Sequence, residues 1–300
     1  MNCPFLKEAR VRYCEKAVLR KMIRIDGKVG TETCSSPRYR HCAVYRRYAE
    51  DSGGTQCPYL RESLMQYCAT AAAPRFIPYS EPLLSRCGND AHRYCDVYLG
   101  IANRPGAASP AEGREDAVGG IRVPGRLYYS ANHLWLDAAE GGSCHLGVDA
   151  FLTRVLGAVE RITFVRQTGV HRPSAVLTAH GMDLEVVFPN PVLLTASNLY
   201  LRANPSKLTA DPYGAGWLFQ GVQLPGQPPV TSGLTRGDAV LPWMGEEIDR
   251  MSAFLAECRI SRRNAASLND GGVFCPGVLQ QLPREEALRL FHEFFWGLRV

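Results

Sequence analysis

Val176-Leu177-Thr178-Ala179-His180-Gly181-Met182-Asp183-Leu184-Glu185-Val186-Val187-Phe188 is the stretch on which the fold turns. Val176–Ala179 and Leu184–Phe188 are rich in β-branched and apolar residues and read as two strands. They join through His180–Asp183, where Gly181 supplies the turn geometry. Moving outward, Val192-Leu193-Leu194-Thr195 reads as a further strand, and Val148–Leu156 as a short helix leading into a strand at Arg161–Val165. Stretches of Pro, Gly and small residues bracket this β region and predict flexible connections over 101–125 and 222–236. Residues 237–300 read as a helical tail. One amphipathic helix over 242–258 places Trp243, Ile248, Met251, Phe254 and Leu255 at helical spacing. A second starts at Pro283, with Glu285 and Glu286 in its first turn, and runs through Leu290, Phe291, Phe294 and Phe295. Both helices are expected to pack on the central domain; docking of the Phe-rich helix into a partner is the sharper alternative.

Within 126–221 four stretches carry a specific likeness. They are Tyr129-Ser130-Ala131-Asn132-His133-Leu134-Trp135-Leu136, Leu146-Gly147-Val148-Asp149-Ala150-Phe151, Leu156-Gly157-Ala158-Val159-Glu160-Arg161-Ile162 and Asp211-Pro212-Tyr213-Gly214-Ala215-Gly216-Trp217-Leu218, the last preceded by Asn198 at thirteen residues. From about Tyr128 to Gly221 the chain resembles the lipoyl-carrier H protein of the glycine cleavage system. The last stretch departs from the family signature only at Ala215, where the family has Glu. The resemblance implies a barrel-sandwich hybrid of small antiparallel sheets, with a lysine at a hairpin tip bearing lipoate. The matching tip here is His180-Gly181-Met182, and no lysine occurs from Arg126 to Ser206. Lipoylation needs a lysine amine to form an amide, so no lipoate is expected, and the domain reads as a rigid surface for contact with another protein. His180 has no paired acid or nucleophile in the sequence around it and reads as a turn residue. His133 and Trp135 read as packing residues. Cys144 reads as structural, because neighbours on a strand, here His145, point to opposite faces.

The first hundred residues contain a duplication, with units at 3–48 and 57–100. Cys3-Pro4-Phe5-Leu6-Lys7-Glu8 through Tyr13-Cys14 matches Cys57-Pro58-Tyr59-Leu60-Arg61-Glu62 through Tyr67-Cys68. Cys34 with Arg40-His41-Cys42-Ala43-Val44-Tyr45 matches Cys87 with Arg93-Tyr94-Cys95-Asp96-Val97-Tyr98. The cysteine spacings are 11, 20 and 8 in the first unit and 11, 19 and 8 in the second. Eight thiols in register, in a chain read as cytoplasmic, point to metal or cofactor ligation before disulfides. Four thiolates suit tetrahedral zinc or an iron–sulfur cluster. Neither unit has the close cysteine pair of most zinc sites, so a [4Fe–4S] cluster per unit is the first expectation. Zinc, disulfides or buried unligated thiols remain open.

The region is expected to be mainly helical, with Pro4 opening a helix that reaches Cys14 and Ser35-Ser36-Pro37 opening another. An unbroken first helix would hold Cys3 and Cys14 about 16 Å apart along its axis. Cys3 must then lie outside the helix, the helix must stop early, or the two units must exchange ligands.

The whole chain of 300 residues therefore reads as α+β: a helical cysteine-rich head, a central β domain and a helical tail. Net charge is only +5, yet residues 1–48 hold twelve Lys/Arg against four acids. Such a head can touch nucleic acid or offset the negative charge of a thiolate-bound cluster. No recognisable nucleic-acid module accompanies it. No apolar run approaches the roughly 20 residues that span a bilayer. No Walker loop, dinucleotide-binding glycine run, HExxH or nucleophile elbow appears, so neither a self-contained enzyme site nor a small-molecule substrate is identified. The expectation is a non-enzymatic iron–sulfur subunit with two clusters, docked onto a larger complex. A zinc- or disulfide-stapled scaffold is the alternative.

Overall fold

The computed structural model describes residues 2–17, 23–25, 33–48, 54–70, 75–76, 86–88, 90–102, 116–139, 142–165, 167–258 and 275–296. Most of the expected first linker and several of the basic residues of the head lie outside the described residues. The chain divides into two compact units, Met1–Asp90 and Ala91–Val300.

The first unit is built on strands where helices were expected. β1 (Leu6–Cys14) is followed by the two-residue β2 (Ile23–Arg24), a 3-10 turn at Pro37–His41 and the short helix α1 (Ala43–Tyr48). β3 (Leu60–Cys68) and β4 (Arg75–Phe76) repeat the strand pattern. The four strands form one antiparallel sheet in the order β2-β1-β3-β4. β1 and β3 pair along their whole length, from Leu6 opposite Cys68 to Cys14 opposite Leu60. The physical reason for the strand lies in its partner. Ala9 and Val11 turn inward while Arg10 between them is exposed, a period of two that only a pleated neighbour can use. The sister repeat supplies that neighbour, and cross-strand pairs fit: Arg12 Nε lies 2.6 Å from Glu62 Oε1 directly opposite, and Gln66 Nε2 donates to Glu8 Oε1 at 3.3 Å. The helical potential of either segment alone is thereby overridden.

The second unit opens with α2 (Asp96–Ala102) and a small hairpin of β5 (Ala117–Val118) and β6 (Ile121–Arg122). Next come β7 (Tyr128–Tyr129), β8 (Leu134–Ala138), β9 (Ser143–Val148) and helix α3 (Ala150–Leu156). β10 (Arg161–Phe164), β11 (Val170–His171), β12 (Ser174–Ala179), β13 (Met182–Val187) and β14 (Val192–Ser197) follow. Two short helices, α4 (Tyr200–Ala203) and α5 (Ser206–Ala210), precede β15 (Phe219–Val222) and β16 (Thr235–Arg236). The tail is α6 (Val240–Glu257), α7 (Val278–Gln281) and α8 (Arg284–Phe294). A seven-stranded sheet runs β11-β14-β15-β9-β8-β7-β16, and a three-stranded sheet runs β10-β12-β13. Among the described residues no pairing closes either sheet into a barrel, so the unit has open sheets in place of the barrel that the resemblance implied.

The β12–β13 hairpin has a two-residue loop. Ala179 pairs with Met182, and the intervening His180 and Gly181 both have positive φ, 51° and 69°. Two left-handed residues between paired strands match the strand twist, which is why Gly sits here. α3 starts where Asp149 caps it, its Oδ1 accepting from Leu152 N at 2.8 Å.

The turn-rich Asp211–Leu218 segment is held by side chains reaching back to backbone. Asp211 Oδ2 accepts from Ala215 N at 2.7 Å. Asn198 Nδ2 donates to both Ala215 O and Trp217 O at 2.9 Å, which explains the fixed thirteen-residue spacing. Trp135 Nε1 donates to Pro212 O at 3.1 Å, and Tyr213 Oη accepts from Ala150 N and donates to Arg122 O. A Cβ on Gly216 would stand 2.7 Å from Asp211 O and 3.0 Å from Leu208 Cα, so the close backbone approach demands glycine there.

One continuous apolar core runs from Tyr94 through the sheets to Phe295. It absorbs parts of both expected linkers: Ile121, Val123 and Val230 are buried, and β16 pairs with β7. α6 and α8 lie on this core, with Met251, Phe254, Phe291, Phe294 and Phe295 buried. Among the described residues no helix is long and apolar enough to cross a membrane.

Candidate functional site

The strand register of the first unit decides which cysteines meet. Cys14 ends β1 opposite Leu60, and Leu60 N donates to Cys57 O at 3.1 Å in the turn that opens β3. The end of one repeat therefore lies beside the start of the other. Cys57 N donates to Cys34 O at 2.8 Å, and Glu15 N donates to Tyr59 O at 2.9 Å. Cys34 and Cys42 pack against a small core of Tyr39, Tyr45 and Cys57. The opposite end of the strand pair repeats this wiring. Leu6 faces Cys68, Cys3 N donates to Cys87 O at 2.8 Å, and Ala69 N donates to Phe5 O at 2.9 Å. Cys95 falls beyond Asp90, in the second unit. Locally it repeats Cys42: its N–H donates to His92 O at 3.0 Å, as that of Cys42 does to Tyr39 O at 2.9 Å.

Cys14, Cys34, Cys42 and Cys57 are thus gathered in one neighbourhood. Burial raises the pKa of the Cys34 thiol, and the negative charge that Cys57, Cys42 and Cys14 would carry raises it further. A bound cation would reverse this penalty at Cys34, since coordination deprotonates the thiol outright. The chemistry of the set fits a thiolate-ligated cluster or zinc. The four are neighbours in the fold and not a formed ligand set: among the described residues no three His, Cys, Asp or Glu side chains stand close enough together to hold a metal ion. All eleven cysteines are described, and none is in a disulfide. Rings and cations surround the gathered thiols. Tyr39 and Tyr45 pack edge to face at 4.8 Å, Arg40 lies 6.0 Å from the Tyr39 ring, and Lys16 lies 5.9 Å from the rings of Tyr48 and Tyr59.

The hairpin tip of the second unit is tied down. His180 Nε2 donates to Leu156 O at 2.9 Å, Gly181 N donates to Glu160 Oε1 at 3.3 Å, and Met182 is buried. Beyond Lys28 the chain's sole lysine is Lys207, in α5, and not at the tip. Cys144 is buried, and burial pushes its thiol up to about 12.

A buried charge cluster centred on His133 carries no local sequence signal. The residue is fully enclosed, with a left-handed φ of 61°. Its Nδ1 lies 2.8 Å from Asp149 Oδ2 and its Nε2 lies 3.3 Å from Glu247 Oε2. Arg250 closes the chain with its Nε 3.1 Å from Glu247 Oε2. The imidazole stacks on Phe151 at 4.1 Å. Burial pulls the His133 pKa down, but Asp149 and Glu247 more than offset this and raise it. Burial likewise opposes ionisation of Glu247, and its bonds to His133 and Arg250 prevail and lower its pKa. This is a buried ionic clasp between α6 and the sheet. His133 had been expected as packing alone, and its polar role needed Glu247, 114 residues away.

No family model matches the chain. Curated relatives do. The chain is similar to a glycine cleavage system H protein of Mycobacterium avium, 32% identical over 106 residues, covering 32% of this chain and 76% of that protein. It is similar to the H protein of Aeromonas hydrophila, 27% identical over 101 residues, covering 33% of this chain and 78% of that protein. Among solved structures, an H protein from Mycobacterium marinum aligns over 42% of this chain and 98% of its own, at 21% identity and a TM-score of 0.34.

Proposed function

Because the chain belongs, through about a third of its length, to the glycine cleavage system H protein family, we propose that it is a lipoate-free subunit of a larger protein complex whose cysteine-rich N-terminal hundred residues carry [4Fe–4S] clusters for electron transfer. The family relationship supports contact with partner proteins. The tip His180-Gly181-Met182 offers no amine, so the H-like domain serves as a docking surface and not as a swinging-arm carrier. What carries the iron–sulfur assignment is the gathering of Cys14, Cys34, Cys42 and Cys57 around one small tyrosine-lined core. When bound, a cluster would supply one-electron chemistry. The residues around it would ligate it, limit water access and offset its negative charge.

Anaerobic purification of the full chain tests this. The expected product is brown, with broad absorbance at about 400 nm and about eight irons with matching sulfide, the content of two four-iron clusters. Colourless protein with stoichiometric zinc would overturn it in favour of a zinc-stapled scaffold. Protein that takes up neither iron nor zinc would overturn both.

A further inference from the structure

The duplication invites the view that each four-cysteine repeat closes its own centre. The strand geometry excludes this for Cys14. β1 is nine residues of extended chain, so at about 3.4 Å per residue Leu6 and Cys14 lie about 27 Å apart. Cys3 sits at the Leu6 end, where Leu6 N donates to Cys3 O at 3.0 Å. No small inorganic centre reaches across that span. The same length of β3 separates Cys57 from Cys68. At the Cys14 end, however, the second repeat begins: Cys57 is bonded to the backbone of Cys34, and both pack on the core that also receives Cys42.

We infer that Cys57, the first cysteine of the second repeat, completes a four-thiolate centre with Cys14, Cys34 and Cys42 of the first. This rests on the proposal that the thiols hold an inorganic cluster, and it adds which thiols share one. Each thiol gives its proton to solvent as it ligates, and two ferrous ions, two ferric ions and four sulfides make up the [4Fe–4S]2+ core with no net electron transfer. The consequence is a clasp: the centre ties the end of β1 to the start of β3, so binding the cluster and locking the two repeats together are one event. The Cys3–Cys87 backbone bond and the Leu6–Cys68 pairing show the same exchange of partners at the other end of the sheet.

Iron content of double variants tests ownership. The full-length chain and its C14S, C57S and C14S/C57S variants are loaded with equal amounts of ferrous and ferric iron and with sulfide, without oxygen, and their iron is counted. Crossed ligation predicts that each single variant loses the same half of the wild-type iron and that the double variant loses no more. Ligation within each repeat predicts that the two singles strike different centres and that the double variant retains almost none, which would overturn the inference while leaving the cluster proposal standing. A wild-type chain that takes up no iron would overturn both. A measurement without variants guards against misfolding: a short bifunctional thiol reagent on the metal-free wild-type chain is expected to bridge Cys57 to Cys34 or Cys42. Bridging of Cys57 to Cys68 would overturn the crossed assignment.

Discussion

Replacing Glu247 with Ala should unfasten α6 from the sheet in a pH-dependent way. The substitution leaves His133 enclosed with one carboxylate where it had two, and frees Arg250, which lies 3.8 Å over the Phe294 ring. Breaking a fully buried ion pair from one side costs about 3–5 kcal/mol. The Glu247 side chain keeps 10% of its exposure and Arg250 keeps 24%, so solvent softens the loss. An expectation of about 3 kcal/mol follows, or about 6–12 °C in Tm for a unit of this size. Glu247→Gln keeps an acceptor for the imidazole without the charge and should lose about half as much. The raised His133 pKa gives a contribution fully present below the ordinary histidine value of about 6.5 and lost as pH rises through the folded-state value. The lowered Glu247 pKa gives one present above the ordinary carboxylate value and lost as pH falls through the folded-state value. The gap between wild type and Glu247→Ala is therefore widest in mildly acidic buffer and narrows on the alkaline side. Urea unfolding followed by the fluorescence of Trp135, Trp217 and Trp243, run across that range, measures it. A gap under about 0.5 kcal/mol, the scale of an ordinary surface substitution, or one that stays constant with pH, would refute the assignment of His133 as a charged clasp.

Asn198→Ala should cost about 2–4 kcal/mol in the same assay, because the carbonyls of Ala215 and Trp217 lose their shared donor. Incubation with lipoate, ATP and a lipoate ligase should leave the intact mass of the chain unchanged, since His180-Gly181-Met182 presents no amine; a gain of one lipoyl group would contradict the docking assignment. In the native metal-free protein a thiol reagent at mildly alkaline pH should label the exposed Cys275 at once and leave Cys144 unlabelled, because Cys144 is buried with its thiol pushed up to about 12; peptide mass spectrometry reads both.

The central domain was legible because its signals are local. The β12–β13 hairpin announces itself by period-two apolar residues around Gly181. α3 was read as a short helix over Val148–Leu156, two residues longer at its start than the Ala150–Leu156 observed, and the tail helices show their apolar stripes. The Asp211–Leu218 letters carry their own bonding pattern. The first unit was misjudged for a reason equally specific. Leu6–Cys14 has helix-compatible residues and a proline two places before it, and nothing within the segment reveals that its partner is Leu60–Cys68. The alternation of Ala9 and Val11 is only two residues deep, too short to settle the period by itself. The gathering of cysteines was legible as a residue set, and exchange between repeats was among the open arrangements. The proposal of crossed ligation rests on the register that sets Cys14 opposite Leu60, which no single segment reveals. The His133 clasp was illegible because Glu247 and Arg250 belong to a helix whose docking face is set by its apolar side.

The full-length pairing of β1 with β3 has a consequence for how this head arose. Each repeat offers one long strand, and the neighbour that strand requires is the copy of itself in the other repeat. A single repeat, with only two residues of β2 beside its long strand, would leave one edge of that strand unpaired unless it met a second copy. Joined in one polypeptide, the two halves no longer depend on concentration to find each other, and each became free to diverge, as His41 against Tyr94 already shows.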